Sequence, residues 1–287
     1  MTELVVIGGA GWAGMALIRA LNAVGVDYCG ISHSDAGAAR LYEAQVPRVA
    51  QADLAHPTSL AAVLRTARVV YAIPPTLHRR EDEYMIGAIR AAEDSGVQRF
   101  VYHSVMQPGT PFLRNHQRKA RVEAALRESQ LKWTILQPSM YAQVVVAMFG
   151  ASAGDEVKVP FDVDAEVSIV DLADCAAVGV KTVQESGAHD FATYELAGPV
   201  TTLRQAISAL GRTRGVRLRA RRVGVTEGPL PEGLTTDAEA VADLVSTYAH
   251  YSSHGFRGNS FVLRSLLGRP PKTFEDFLAT QGESATH

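Results

Sequence analysis

Val5-Val6-Ile7-Gly8-Gly9-Ala10-Gly11-Trp12-Ala13-Gly14 is the stretch on which the reading of the fold turns. A short apolar run meets glycines at positions 8, 11 and 14, and an amphipathic segment follows with Ala13, Leu17, Leu21 and Val24 near helical spacing. The pattern is strand, tight turn, helix. Glycines let the main chain turn sharply and approach a ligand closely, and the N–H groups that open a helix attract anionic oxygens. Such a turn suits a dinucleotide pyrophosphate. Gly8, Gly11, Trp12, Ala13 and Gly14 are therefore candidate cofactor-binding residues. The plainer alternative is a loop whose glycines only turn the chain.

Outward from that turn, residues 26–31 read as a second strand ending at Ser32-His33-Ser34, where a dinucleotide fold contacts the adenosine ribose. An acid there would bind the ribose hydroxyls of NAD and repel a 2′-phosphate. Ser32, His33 and the nearby Arg40 accommodate the phosphate, so NADP is the expected cofactor, with Asp35 close enough to keep NAD open. Residues 48–52 form a short third strand ending at Asp53-Leu54. Asp53 either hydrogen-bonds the adenine amino group or caps the turn before His56-Pro57-Thr58. The fourth strand, 69–73, is closed by Pro74-Pro75, a rigid loop at the strand end where open α/β sheets bind ligands.

Residues 99–103 make a fifth strand ending at Ser104, and residues 132–136 a sixth ending in Gln137-Pro138-Ser139-Met140-Tyr141. Strands alternate with helices over connections long enough for right-handed crossovers, which predicts a doubly wound parallel sheet of Rossmann type. Residues 1–150 are read as the dinucleotide-binding domain. Residues 151–287 are read as a smaller, mainly helical, substrate-covering portion interleaved with the last sheet strands, with a mobile loop at 228–233.

At 287 residues and 47% hydrophobic content the chain can bury a large core, and a net charge of −2 gives it no overall pull toward nucleic acid or a membrane surface. The one dense basic stretch, 212–222, alternates Arg217, Arg219 and Arg221 with Val216, Leu218 and Ala220. That is the pattern of a half-buried strand with a solvated face; a nucleic-acid or partner surface is the sharper alternative. Cys29 and Cys175 stand far apart, so neither a disulfide framework nor a metal site is expected, and a reduced, cytoplasmic compartment is. No apolar run reaches membrane-spanning length.

The spacing Gly8-x-x-Gly11-x-x-Gly14, Asp53-Leu54 after the third strand, Ser104 after the fifth, and Asn115-His116-Gln117-Arg118-Lys119 ahead of Thr134-Ile135-Leu136-Gln137-Pro138 resemble the atypical short-chain dehydrogenase/reductases, and among them the NmrA-like branch. The chain departs from that pattern with Ile7 where relatives often have Thr, Gln137 where they often have Arg, and Asn115 where active reductases carry the Tyr of a Tyr-x-x-x-Lys pair. The resemblance implies dinucleotide binding, and it places Lys119 beside the nicotinamide ribose.

Reduction needs a hydride, a group that polarises the acceptor atom, and a proton source. Lys119 is the first catalytic candidate; its alternative is an exposed i,i+4 pair with Glu123. Strand alternation puts Ser104 on the face of Tyr102, opposite Val101 and His103, where it donates to a substrate or caps a loop. His116, one helical turn before Lys119, and Tyr141, past the Pro138 turn, are further proton-donor candidates, each with an ordinary structural reading beside it. The expected function is NAD(P)H-dependent reduction of a small, largely apolar carbonyl, imine or activated alkene. The alternatives are a dinucleotide-sensing regulator that binds a protein partner without turnover, and a cofactor-assisted isomerase or epimerase.

Overall fold

The computed structural model describes residues 4–150, 154–185, 187–228 and 237–284. Strand and helix alternate through β1 (Leu4–Ile7), α1 (Trp12–Ala23), β2 (Tyr28–Ser32), α2 (Asp35–Glu43), β3 (Arg48–Gln51), α3 (Pro57–Leu64), β4 (Val69–Ala72), α4 (Glu81–Asp94), β5 (Arg99–His103), α5 (Arg114–Glu128) and β6 (Lys132–Pro138). There follow β7 (Met140–Tyr141), α6 (Ala142–Phe149), β8 (Glu156–Val159), β9 (Glu166–Val170), α7 (Leu172–Gln184), β10 (Ala192–Leu196), β11 (Val200–Thr202), α8 (Leu203–Thr213), β12 (Arg219–Arg222), α9 (Ala238–His254), α10 (Phe261–Leu267) and α11 (Phe274–Ser284).

β1, β2 and β5 are buried along their whole length, as strands covered on both faces must be. The seven-stranded sheet runs β10-β6-β5-β4-β1-β2-β3. β3, β2, β1, β4, β5 and β6 pair in parallel. The order reverses direction between β1 and β4, the crevice in which doubly wound sheets hold their ligands. This is the doubly wound parallel sheet that the strand–helix alternation predicts. On one face Val5, Ile7, Val70, Phe100, Tyr102 and Ile135 pack with Met85, Ile89 and Ala92 of α4 and with Val122 and Leu126 of α5.

The chain forms two compact units that are interleaved along the sequence. One holds residues 4–110, 115–137 and 175–194. Its last segment is tied to the sheet by buried polar groups: Arg99 donates from Nη2 to the Thr182 carbonyl at 2.6 Å and from Nε to Asp190 at 3.1 Å. Thr134 Oγ1 donates to the His189 carbonyl at 2.8 Å. Gly179 of α7 lies so close to the sheet that a Cβ there would stand 3.0 Å from the Tyr71 hydroxyl.

The other unit holds residues 111–114, 138–174 and 195 onward. It carries a three-stranded sheet, β11-β9-β7, and a two-stranded ribbon, β12-β8. In the ribbon Arg219 pairs with Asp155, and Arg221 Nε with Glu156 at 2.8 Å, so the basic stretch is a solvated face matched by acids. Tyr248, Tyr251 and Phe256 are buried and stack in this unit's core, Tyr248 on Phe161 and Tyr251 on Phe256. Of the loop read at 228–233, residues 229–233 lie outside the described residues. Among the described residues no helix is long and apolar enough to cross a membrane.

Candidate functional site

The turn after β1 is built from glycines whose absent side chains make room for main chain. Gly8 has φ +78°, and a Cβ on it would collide with the carbonyl oxygen of Ile73 at the end of β4. At Gly14 a Cβ would collide with the carbonyl oxygens of Gly8 and Gly9, so only glycine lets α1 press onto the turn. Gly11 differs: a Cβ there would meet only the Gly8 carbonyl, at 3.7 Å, which leaves its outer side open to a ligand. Gly11 is also the N-cap of α1, with no side-chain cap and no acidic residue in the first helical turn. The first N–H groups of a helix lack partners within it, so Trp12, Ala13 and Gly14 present donors and a positive helix end. Trp12 is 46% exposed beside them. Pro74, buried, follows directly on the Ile73 that walls this turn. The cradle has the open backbone that a pyrophosphate requires, and it fits that group.

At the end of β2 the hydroxyl of Ser32 is taken up locally. It donates to the Ser34 carbonyl at 2.8 Å and accepts from the Ser34 N–H at 3.2 Å, while Ser34 caps α2 through the Gly37 N–H. His33 and Arg40 are exposed. Asp53 forms a turn: its Oδ1 accepts from the Ala55 N–H at 2.9 Å and its Oδ2 lies 3.1 Å from His56 Nδ1. The Ala55 N–H, and after it the charges of His56 and His33, hold this carboxyl below the usual range. Leu54 packs its side chain against the core.

Beyond β5 the polar groups form two buried clusters. Glu123 is 2% exposed; its Oε1 accepts from Ser104 Oγ at 2.6 Å and from Gln137 Nε2 at 2.8 Å, and its Oε2 from Arg127 at 3.0 Å. Glu81, the first residue of α4, is fully buried, and Lys119 Nζ donates to both of its oxygens at 2.9 and 3.0 Å. Arg118 Nε lies 3.7 Å away. The Lys119–Glu123 surface pair, the alternative reading of Lys119, is therefore not formed. Glu123 turns inward to Ser104 and Gln137, and Lys119 answers the carboxylate that α4 buries, because an ion taken out of water needs a counter-charge.

His116 is buried, with Nδ1 3.1 Å from the Gln107 carbonyl, so that nitrogen carries the proton. Pro138 and Tyr141 belong to the other unit, Pro138 buried and Tyr141 half-buried at the N-cap of α6. The sequence reading missed Glu81, Glu123 and His103. Glu81 opens the acidic run Glu81-Asp82-Glu83, which reads as an ordinary solvated helix start. His103 is buried and shares a 3.1 Å hydrogen bond with the Tyr71 hydroxyl.

Residues 1–277 match the NmrA-like family, and the chain belongs to it. A (4-alkanoyl-5-oxo-2,5-dihydrofuran-3-yl)methyl phosphate reductase of Streptomyces griseus is 27% identical over 79% of this chain and 80% of its own length. Quinone oxidoreductase 2 of Escherichia coli is 25% identical over 83% of this chain and 84% of its own. Among solved structures, an Escherichia coli NADPH-dependent quinone oxidoreductase complexed with NADPH superposes with a TM-score of 0.79 at 22% identity, covering 97% of this chain and 99% of that one.

Proposed function

We propose that this chain is an NADP-dependent reductase acting on a small, largely apolar carbonyl, imine or activated alkene. The observation that carries the reading is the glycine turn at the sheet's reversal point, where Gly8 and Gly14 leave room for backbone alone and Gly11 for a ligand. The two relatives give the reading its direction: one is named as a reductase of a dihydrofuranone phosphate and the other as a quinone oxidoreductase. Bound at the turn, a nicotinamide cofactor supplies a hydride to the acceptor.

The main-chain donors of Trp12, Ala13 and Gly14 would hold the pyrophosphate, with Gly11 leaving room for it, and His33 and Arg40 would take the 2′-phosphate. The Ser32 hydroxyl and the Asp53 turn shape the adenosine end rather than reaching out from it. Lys119 would bond the nicotinamide ribose hydroxyls and assist protonation. Ser104, His116 and Tyr141 are the proposed sources of polarity and protons. As folded, Ser104 is buried and its hydroxyl donates to Glu123. Asn115 at the usual Tyr position favours a second reading, a dinucleotide sensor without turnover.

The test is a fluorescence titration with NADPH and NADH, followed by the loss of NADPH absorbance with quinones, enones and imines. Binding with turnover on one acceptor class is the expected result. Binding with no turnover on any of them assigns the sensor, and no binding of either nucleotide overturns both readings.

A further inference from the structure

We propose that Glu81 is a positioning residue that aims the Lys119 ammonium at the cofactor, an inference that rests on the reductase reading above. An ammonium carries three N–H bonds. Both Glu81 oxygens lie against Nζ, at 2.9 and 3.0 Å, which pins the ammonium to the carboxylate and leaves its remaining N–H donors on the side away from Glu81 rather than wherever the lysine's own flexible stem would carry them. Exposed ion pairs do not do this, since both chains wander. Here Glu81 is 0% exposed at the start of α4 and cannot follow, while the Lys119 side chain is 14% exposed on its outer side.

A fully buried carboxylate is a poor way to stabilise a fold. Replacing both partners of a buried ion pair by apolar groups is often neutral or favourable, whereas removing one partner leaves the other charge uncompensated. Among the described residues, the charged or titratable groups that act on Glu81 are Lys119 and Arg118 from α5, Asp82 beside it on α4, and the Tyr102 phenol from β5. Burial raises the Glu81 carboxyl above its ordinary range even though Lys119 and Arg118 pull it down. Acid therefore releases Lys119 sooner than it would release a lysine from a surface pair.

The experiment compares the wild type with Glu81→Gln and Glu81→Asp. Calorimetric titration with NADP+ is run from neutral pH downward into the acid range, the direction in which the buried carboxyl takes up its proton. Melting temperatures are recorded alongside, together with kcat and KM on whichever acceptor the wild type reduces. With Gln at position 81, NADP+ affinity falls about tenfold or more near neutral pH, the loss of one charge-assisted hydrogen bond, and the melting temperature falls as well because Lys119 and Arg118 lose their counter-charge. The acid limb of the wild-type affinity profile flattens in Glu81→Gln. Glu81→Asp, one methylene short, recovers part of the affinity and keeps the limb.

Affinity within twofold of wild type with an unchanged pH profile overturns the proposal. So does a fall in melting temperature with affinity intact, which describes a structural ion pair. Should Glu81→Gln not fold, Glu81→Asp carries the same test, and unaltered affinity and profile in it overturn the inference. If the wild type itself binds no NADP+, it is the reductase reading that has failed, and this inference falls with it.

Discussion

Tyr102 has a fully buried hydroxyl with no hydrogen-bond partner among the described residues, set in the field of Glu81 and Glu123. Burial, then those two carboxylates, push its pKa well up, so it stays a neutral phenol. An unmade buried hydrogen bond costs stability, and Tyr102→Phe is expected to gain about 1 kcal/mol, a rise in melting temperature of about 2 °C. A fall of that size would mean that the hydroxyl has a bridging water. His103, on the opposite face of the same strand, is buried and neutral, its pKa lowered to about 4 from 6.5, first by desolvation and then by Lys119. The unfolded chain takes up that proton first as pH falls. Stability present above about pH 6.5 is lost on the way down to about pH 4, by about 3 kcal/mol from this residue alone. Urea unfolding at several pH values should show this slope, and His103→Asn should flatten it; equal slopes would contradict the burial. The sequence placed Ser104 and His103 on opposite faces by alternation, but it carried no sign that both faces would be dry.

At the scale of the element, the glycine turn and α1 act together, and two substitutions separate their roles. Gly14→Ala drives a methyl into the carbonyls of Gly8 and Gly9 and must lift α1 off the turn, so both melting temperature and NADPH affinity should drop, the latter by tenfold or more. Gly11→Ala meets only a carbonyl at 3.7 Å and keeps an ordinary helix N-cap conformation, so it should melt like the wild type while still weakening NADPH, whose pyrophosphate needs that space. If both variants melt and bind alike, the turn is only a turn. This element was legible in the sequence because apolar run, glycine spacing and helical period all fall within ten neighbouring residues. The pairing of α4 with α5 was not. The alternative Lys119–Glu123 pairing used the one partner that local spacing offers, whereas Glu81 lies 38 positions away and meets Lys119 only because both helices cover the same face of the sheet.

For the whole molecule, ligand binding adds to global stability by mass action. NADPH at a hundred times its Kd is expected to add about 2.7 kcal/mol, with NADH adding less at the same concentration, and a thermal-shift series reads the order directly. A larger shift with NADH would reverse the cofactor assignment drawn from His33 and Arg40. At this scale the chain's own order misleads. Residues 175–194 lie late in the sequence yet belong with the sheet, tied there by Arg99 and Thr134 through the Thr182 carbonyl, Asp190 and the His189 carbonyl.

The sequence by itself determined the parallel α/β architecture and the location of the nucleotide turn, since periodicity and glycine spacing are local properties that survive without tertiary contacts. Only the tertiary structure decided which charges are buried and against what. It turned Lys119 toward Glu81, Ser104 toward Glu123 and His103 toward Tyr71. Desolvation depends on everything that packs around a group, and no window of neighbouring residues contains that information.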